Sequence, residues 1–283
     1  MNLPFTPNYS NKVAVVTGGA GVLCREFCKA LAMCGAKVAV LNRTLAKAEA
    51  VAEEIRDTGG EATAFSVDVT DKDSVRQAHE GVLKKYGKCD ILINGAGGND
   101  PAATADDEFF SMETLLDESK KSFFDLPQEG FVKVFSLNIM GTLLPTQEFA
   151  RDMVERGKGS ILNISSMNAF TPLTKIPAYS AAKSGVSNFT QWLAVHFAKT
   201  GIRVNAIAPG FFSTAQNAKL LWNDDGTPTA RTGKIINATP MGRFGTPEEL
   251  IGALLFLTDD RCSAFITGVI LPIDGGFSAY SGV

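Results

Sequence analysis

Histidine is nearly missing from this chain. Its 283 residues hold two, His79 and His196, too few for a histidine metal cluster or for most Ser-His-Asp hydrolytic schemes. The five cysteines, Cys24, Cys28, Cys34, Cys89 and Cys262, are odd in number, scattered and without a C-x-x-C pair. That argues against a disulfide scaffold or a zinc site and fits a reduced, cytoplasmic protein. Neither sign of charge is in large excess. The formal net charge is -3 with no basic stretch, so nucleic acid is not an expected partner. No apolar run is long enough to cross a bilayer, and Met1 to Asn11 lacks a charged-then-apolar leader pattern, so no membrane association is expected. Internal repeats, low-complexity tracts and linkers are also missing.

What is present is apolar and regular. Hydrophobic residues make up 45% and charged residues 20%, which suits a full core and not a disordered chain. Short β-branched runs alternate with helical patterns. Val13 to Val16, Lys37 to Leu41, Ala62 to Val67, Asp90 to Ile93, Gly159 to Ile164, Ile202 to Ala206 and Val269 to Leu271 read as strands. Helices are expected near residues 22–33, 45–57, 71–86, 131–156, 179–200 and 247–257. This order predicts one Rossmann-type domain over residues 1–283, a three-layer α/β fold with a doubly wound parallel sheet. In such a sheet, active groups gather beyond the strand C-termini. Gly18 to Gly21, Asn42-Arg43, Asp68, Asn94 to Gly97, Ser165-Ser166 and Pro209-Gly210 all sit just after a predicted strand.

The glycine-rich turn Thr17-Gly18-Gly19-Ala20-Gly21 lies between a strand and a helix. There it can present backbone N–H groups and a helix N-terminus to a pyrophosphate. Tyr179 and Lys183 are four residues apart, hence one turn apart on one helix face. A phenol has a pKa of roughly 10 and is a poor acid or base at neutral pH. A neighbouring ammonium is expected to lower it toward the working range.

Together these residues resemble the short-chain dehydrogenase/reductase family. The resemblance rests on Thr17-Gly18, Asp68-Val69, Asn94-x-Ala96-Gly97, Asn138, Ser166 thirteen residues before Tyr179, Tyr179-x-x-x-Lys183 and Pro209-Gly210-x-x-x-Thr214. It implies a nicotinamide-dependent oxidoreductase. Tyr179 would exchange a proton with the substrate oxygen, and Ser166 would hold that oxygen. Lys183 would tune Tyr179 and bind the nicotinamide ribose. Asn138 would anchor a water linking Lys183 to solvent. The dinucleotide would lie along Gly18, Gly19, Gly21, Val22 and Leu23. Asp68 and Val69 would meet the adenine, and Asn94, Ala96 and Gly97 would support the strand end beside the ribose. The turn containing Pro209, Gly210, Phe212 and Thr214 would hold the carboxamide. The family's second and third glycines fall at Val22 and Cys24. Gly21 is a stand-in for one of them, and Cys24 reads as a small packing residue. Asn42 lacks the acid that would repel a 2′-phosphate, and Arg43 could pair with one, so NADP(H) is slightly favoured over NAD(H). A homo-oligomer, often a tetramer, is also implied, with His196 at an interface or in the core.

Two segments are candidates for substrate selection. Residues 99–130 form an insertion beside the site, and residues 211–243 follow the Pro-Gly turn as a lid. The strings Gly18 to Cys24, Ser166 to Phe170, Thr174 to Pro177 and Gly276 to Val283 are similar to short-chain proteins assigned as D-mannonate oxidoreductases. That similarity implies a sugar-acid substrate, D-fructuronate or D-mannonate. Asn99, Asn168 and Lys175 are candidates for its hydroxyls and carboxylate. The alternatives are a gluconate 5-dehydrogenase-like enzyme, a 3-oxoacyl carrier-protein reductase, or a nucleotide-binding redox sensor without turnover.

Overall fold

Alternate residues of the central strands face opposite layers, and this splits the core in two. The computed structural model describes residues 7–213 and 221–282. In β1 (Val13–Thr17), Ala14 and Val16 join one buried cluster while Val13 and Val15 join the other. The seven strands run in the order β3-β2-β1-β4-β5-β6-β7, and every pairing is parallel. The others are β2 (Lys37–Asn42), β3 (Glu61–Ser66), β4 (Ile91–Asn94), β5 (Gly159–Ile164), β6 (Ile202–Pro209) and β7 (Ile270–Ile273). This is the expected doubly wound Rossmann-type sheet. The first cluster packs α1 (Val22–Met33) and α2 (Leu45–Asp57) on one face through Phe27, Leu31, Val51 and Ile55. The second packs the other face with Val75 of α3 (Lys72–Tyr86), together with Phe149, Met153 and Leu193.

The strand order reverses between β1 and β4, because the chain winds outward through β2 and β3 and then returns. The loops after these two strands therefore border a crevice at the sheet's C-terminal edge. The Thr17 side-chain oxygen ties them together. It accepts from Gly95 N at 3.1 Å and Ala96 N at 3.2 Å.

Three features differ from the expected elements. The helix expected over 131–156 is α5 (Gln128–Phe135), a π-helical turn (Ser136–Met140) and α6 (Gly141–Arg156). The insertion contains a short helix, α4 (Met112–Leu116). Helix α7 (Pro177–His196) carries Tyr179, and the segment after β6 forms a further helix, α8 (Ala230–Asn237), before α9 (Ile251–Thr258).

Tyr9 holds the first described residues against α9. Its ring is fully buried, and its hydroxyl bonds Thr258 Oγ1 at 2.7 Å and Leu255 O at 3.1 Å. Tyr9→Phe is expected to cost about 1–2 kcal/mol, read as a lower denaturant midpoint with an unchanged slope. An unaltered midpoint would show that these bonds add nothing net.

Candidate active site

The crevice is lined by Gly18, Gly21, Val22, Leu23, Gly97 and Ser166, with Tyr179, Lys183, Gly210 and Phe212 further along it. Three of the four expected catalytic residues and part of the expected cofactor set therefore meet in one place. Gly18 has a positive φ of 63°, and a Cβ there would lie 2.9 Å from Ala96 N. Only glycine fits a left-handed turn pressed this closely against the facing loop. Gly21 is extended and precedes α1, whose first turn has neither a side-chain cap nor an acidic residue. The N–H groups of that turn are thus not claimed by any capping side chain, which suits an anion.

The missing glycine at position 24 is compensated across the crevice. A Cβ on Gly95 would lie 2.2 Å from Cys24 Sγ. The space that a glycine in the helix would leave is taken from the β4 loop instead. Cys24 is buried, and burial pushes its thiol up to about 12 against the opposing charge of Lys183. It is a packing residue, not a reactive thiol.

Lys183 is 4% exposed and donates to Ile164 O at 2.7 Å. Burial depresses its ammonium to about 8. Its Nζ lies 5.6 Å from the centroid of the Tyr179 ring. Burial raises the Tyr179 phenol above its ordinary value, and a hydrogen bond with Ser166 works the other way. In this geometry desolvation dominates, and Ser166 is the lowering partner. Ser166 also accepts from Asn168 N at 3.2 Å. The neighbouring Ser165 is committed elsewhere, to Ser187 Oγ at 2.6 Å and Lys183 O at 3.3 Å.

Asn138 sits in the π-helical turn, a feature frequent at functional sites. Its Nδ2 donates to Gly98 O and Val134 O, each at 2.8 Å, and its Oδ1 accepts from Gly98 N at 3.2 Å. A Cβ on Gly97 would lie 2.7 Å from Asn138 Oδ1 and 3.0 Å from Lys183 Nζ. The β4 loop, Asn138 and Lys183 are therefore in close contact.

Other expected residues have different settings. Asn94 is buried and donates to Thr146 Oγ1 at 2.9 Å and Asn163 Oδ1 at 2.8 Å, so it braces the strand end. Val69 packs where Gly141 leaves room, with its Cγ2 2.9 Å from a Cβ built there. Asp68 accepts from Thr70 N at 2.9 Å and Thr70 Oγ1 at 2.6 Å. Those bonds hold its carboxyl low, and exposed Arg43 adds to the effect. Asn42 Nδ2 donates to Thr44 O at 3.1 Å. Thr214 lies outside the described residues.

The three substrate candidates have different settings. Asn99 is exposed, outside the crevice lining, and donates to Thr104 Oγ1 at 2.9 Å. Asn168 is buried, and its Oδ1 has no hydrogen-bond partner. It touches the site through its backbone N–H on Ser166, not through its amide. Lys175 donates to Asp106 O, and its own carbonyl accepts from Ala105 N at 2.9 Å, so it pins the insertion beside the start of α7. Sequence reasoning passed over Ile164, which acts through a carbonyl and has no side-chain signature. It also passed over Thr17 and Gly95 as a stitch between loops, although their place at adjacent strand ends was a usable signal.

A family model for short chain dehydrogenases matches residues 12–224. The chain belongs to the short-chain dehydrogenase family. A solved Haemophilus influenzae structure, provisionally named a D-mannonate oxidoreductase and holding NAD, is 54% identical with a TM-score of 0.94, over 98% of each chain. The uncharacterized oxidoreductase UxuB of Bacillus subtilis is 52% identical over 99% of this chain and 100% of its own. A gluconate 5-dehydrogenase structure from Burkholderia cenocepacia, with NADP and tartrate, is 27% identical with a TM-score of 0.82, over 96% of this chain and 97% of that one. The chain is accordingly an NAD(P)-dependent oxidoreductase acting on CH–OH groups of small molecules. No helix among the described residues is long and apolar enough to cross a membrane, and no group of three or more metal-ligating side chains occurs among them.

Two outcomes are expected. Gly95→Ala should destabilise the fold and weaken dinucleotide binding, and adding Cys24→Ala should recover part of both losses. The absence of any recovery in a thermal-shift and cofactor titration would sink the compensation between these two positions. Lys183→Met should be more stable than the unaltered chain at pH 7 by about 1–2 kcal/mol, because a buried ammonium and its carbonyl bond are removed together. The unfolded chain holds that proton up to about 10.5 and the folded one only to about 8. The unaltered protein therefore gains stability as pH rises between these values, and the gap should narrow there. A gap independent of pH would mean that Lys183 is not depressed.

Proposed function

We propose that this enzyme interconverts a ketone and a secondary alcohol on a sugar acid, with D-fructuronate and D-mannonate as the pair. The observation that carries the chemistry is the meeting of Ser166, Tyr179 and buried Lys183 in one crevice, with Lys183 one helical turn from Tyr179. In the reductive direction the Tyr179 phenol gives its proton to the substrate oxygen, and the Ser166 hydroxyl donates to the same oxygen as charge develops there. Lys183, held by Ile164 O, offsets the charge left on the phenolate. Asn138 holds Gly98 from both sides of its amide and so fixes the β4 loop beside Lys183. The nicotinamide, when bound, supplies or takes up the hydride. The uncapped α1 N-terminus and the glycines at 18, 21 and 97 suit its diphosphate and ribose.

The sugar-acid assignment draws support from the likeness to the Haemophilus influenzae structure and from a cation-lined cavity next to the crevice. NADP(H) is favoured in the sequence because Asn42 lacks a repelling acid and because of Arg43. Its charge is partly offset by Asp68, which weakens attraction for a 2′-phosphate, and the 54%-identical structure holds NAD. NAD(H) should therefore serve at least as well as NADP(H). On α7, Trp192 is 56% exposed and stacks on His196 at 4.6 Å, and Val195 is 80% exposed. This apolar face supports the homo-oligomer, with a tetramer as its expected size.

The test is oxidation of NADH and NADPH with D-fructuronate, 5-ketogluconate and an acetoacetyl thioester side by side. Turnover with fructuronate, reduced about 10³-fold or more by Tyr179→Phe with dinucleotide binding intact, is the expected result. Turnover confined to another ketone would remove the mannonate assignment and leave the mechanism standing. Dinucleotide binding without turnover of any of them would favour the redox-sensor reading.

A further inference from the structure

A second cavity, of about 450 Å³, adjoins the catalytic crevice, and Phe211 lines both. That size suits a small metabolite. Ile176, three residues before Tyr179, forms part of its wall, so a molecule reaching Tyr179 from this side would extend into it. Three cations line the cavity, Lys175, Arg231 and Lys234, against one carboxylate, Glu108. The wall is thus cationic in a chain whose net charge is negative.

The three cations are not equivalent. Lys175 is already committed to Asp106 O. Arg231 and Lys234 lie three apart on α8, on one helix face, and buried Thr232 and Ile235 anchor the helix beside them. Thr229 caps the helix, accepting from Thr232 N at 3.3 Å. Lys234 Nζ bonds Glu108 Oε1 at 2.7 Å, a contact between the insertion and the segment after β6. That hydrogen bond, helped by the charge of Lys175, holds the Glu108 carboxyl below its ordinary value. A carboxylate therefore already sits on this cationic wall, supplied by the chain itself.

We propose that Arg231 and Lys234 form the carboxylate subsite of the substrate cavity, and that the substrate's carboxylate takes the place of Glu108 on Lys234. This rests on the sugar-acid reading and names the residues that enforce it. Arg231 supplies a planar fork able to hold both carboxylate oxygens, and Lys234 supplies a point charge released from Glu108. Lys175 is a positioning residue that fixes the insertion carrying Glu108. Selection for an acid then follows from exchange: a neutral ketose has nothing with which to displace Glu108.

The experiment measures binding of D-mannonate, and of its neutral counterpart D-mannitol, to NAD-loaded protein carrying Tyr179→Phe so that no turnover intervenes. Arg231→Gln and Lys234→Gln should each weaken D-mannonate binding by about 10-fold or more and leave D-mannitol binding within about 2-fold. Glu108→Gln should tighten D-mannonate binding by about 3-fold and leave D-mannitol unchanged, because the internal competitor has lost its charge. Equal losses for both ligands, no loss for either, or a parent protein that does not prefer the acid would each overturn the subsite. Turnover of D-fructuronate by the unaltered chain is read separately. If that fails while the Arg231-dependent preference for the acid persists, the proposed reaction falls and the subsite stands.

Discussion

Holding an ammonium away from water is expensive, and the fold around the crevice is arranged so that Lys183 can be held there. One carbonyl, at the end of β5, takes its proton donor. The space above it is closed by a loop too tight for any side chain at Gly97. The depressed ammonium is the mark of that cost, and it places the group where a modest change in surroundings alters its charge. Each neighbour is constrained in turn. Asn138 must reach the β4 loop, Ser165 must keep its hydroxyl on the backbone of α7, and Ser166 is left to face Tyr179.

The second constraint is the meeting of two loops at the point where strand order reverses. Thr17 receives two N–H groups from the β4 loop, and Gly18 and Gly95 give up side chains so that the loops and α1 can close together. Cys24 fits because Gly95 makes room for it. The bare Cα of Gly95 leaves the space that the Cys24 sulfur fills, and the crevice stays closely packed there.

Much of this was legible in the sequence because parallel sheets leave a periodic trace and site residues follow strand ends. Ser166 and the glycine turn were found by that rule, Tyr179 and Lys183 by their four-residue spacing on a helix, and the crevice brings them together. What escaped notice depends on three-dimensional closeness. Burial decided the direction of the Tyr179 shift, and no spacing rule counts burial. Asn168 and Asn99 look alike as polar loop residues, yet one is sealed in and the other stands in solvent. Helix α8 was hidden by Gly226, Pro228 and Gly233, which read as punctuation although Thr229 caps a helix in their midst. With that helix unseen, Arg231 and Lys234 could not be placed on one face.

The π-helical turn at Ser136–Met140 carries one residue more than an α-helical turn would need. Upstream, α5 buries Val134; downstream, α6 buries Phe149 and Met153. Both faces keep their angular relation if the turn is rewritten as ordinary helix with one residue fewer. What such a deletion disturbs is the placement of Asn138 against the β4 loop. The extra residue is therefore a detachable graft: a single lost codon could return the helix to regular form, leave the scaffold standing, and strip the site of its support.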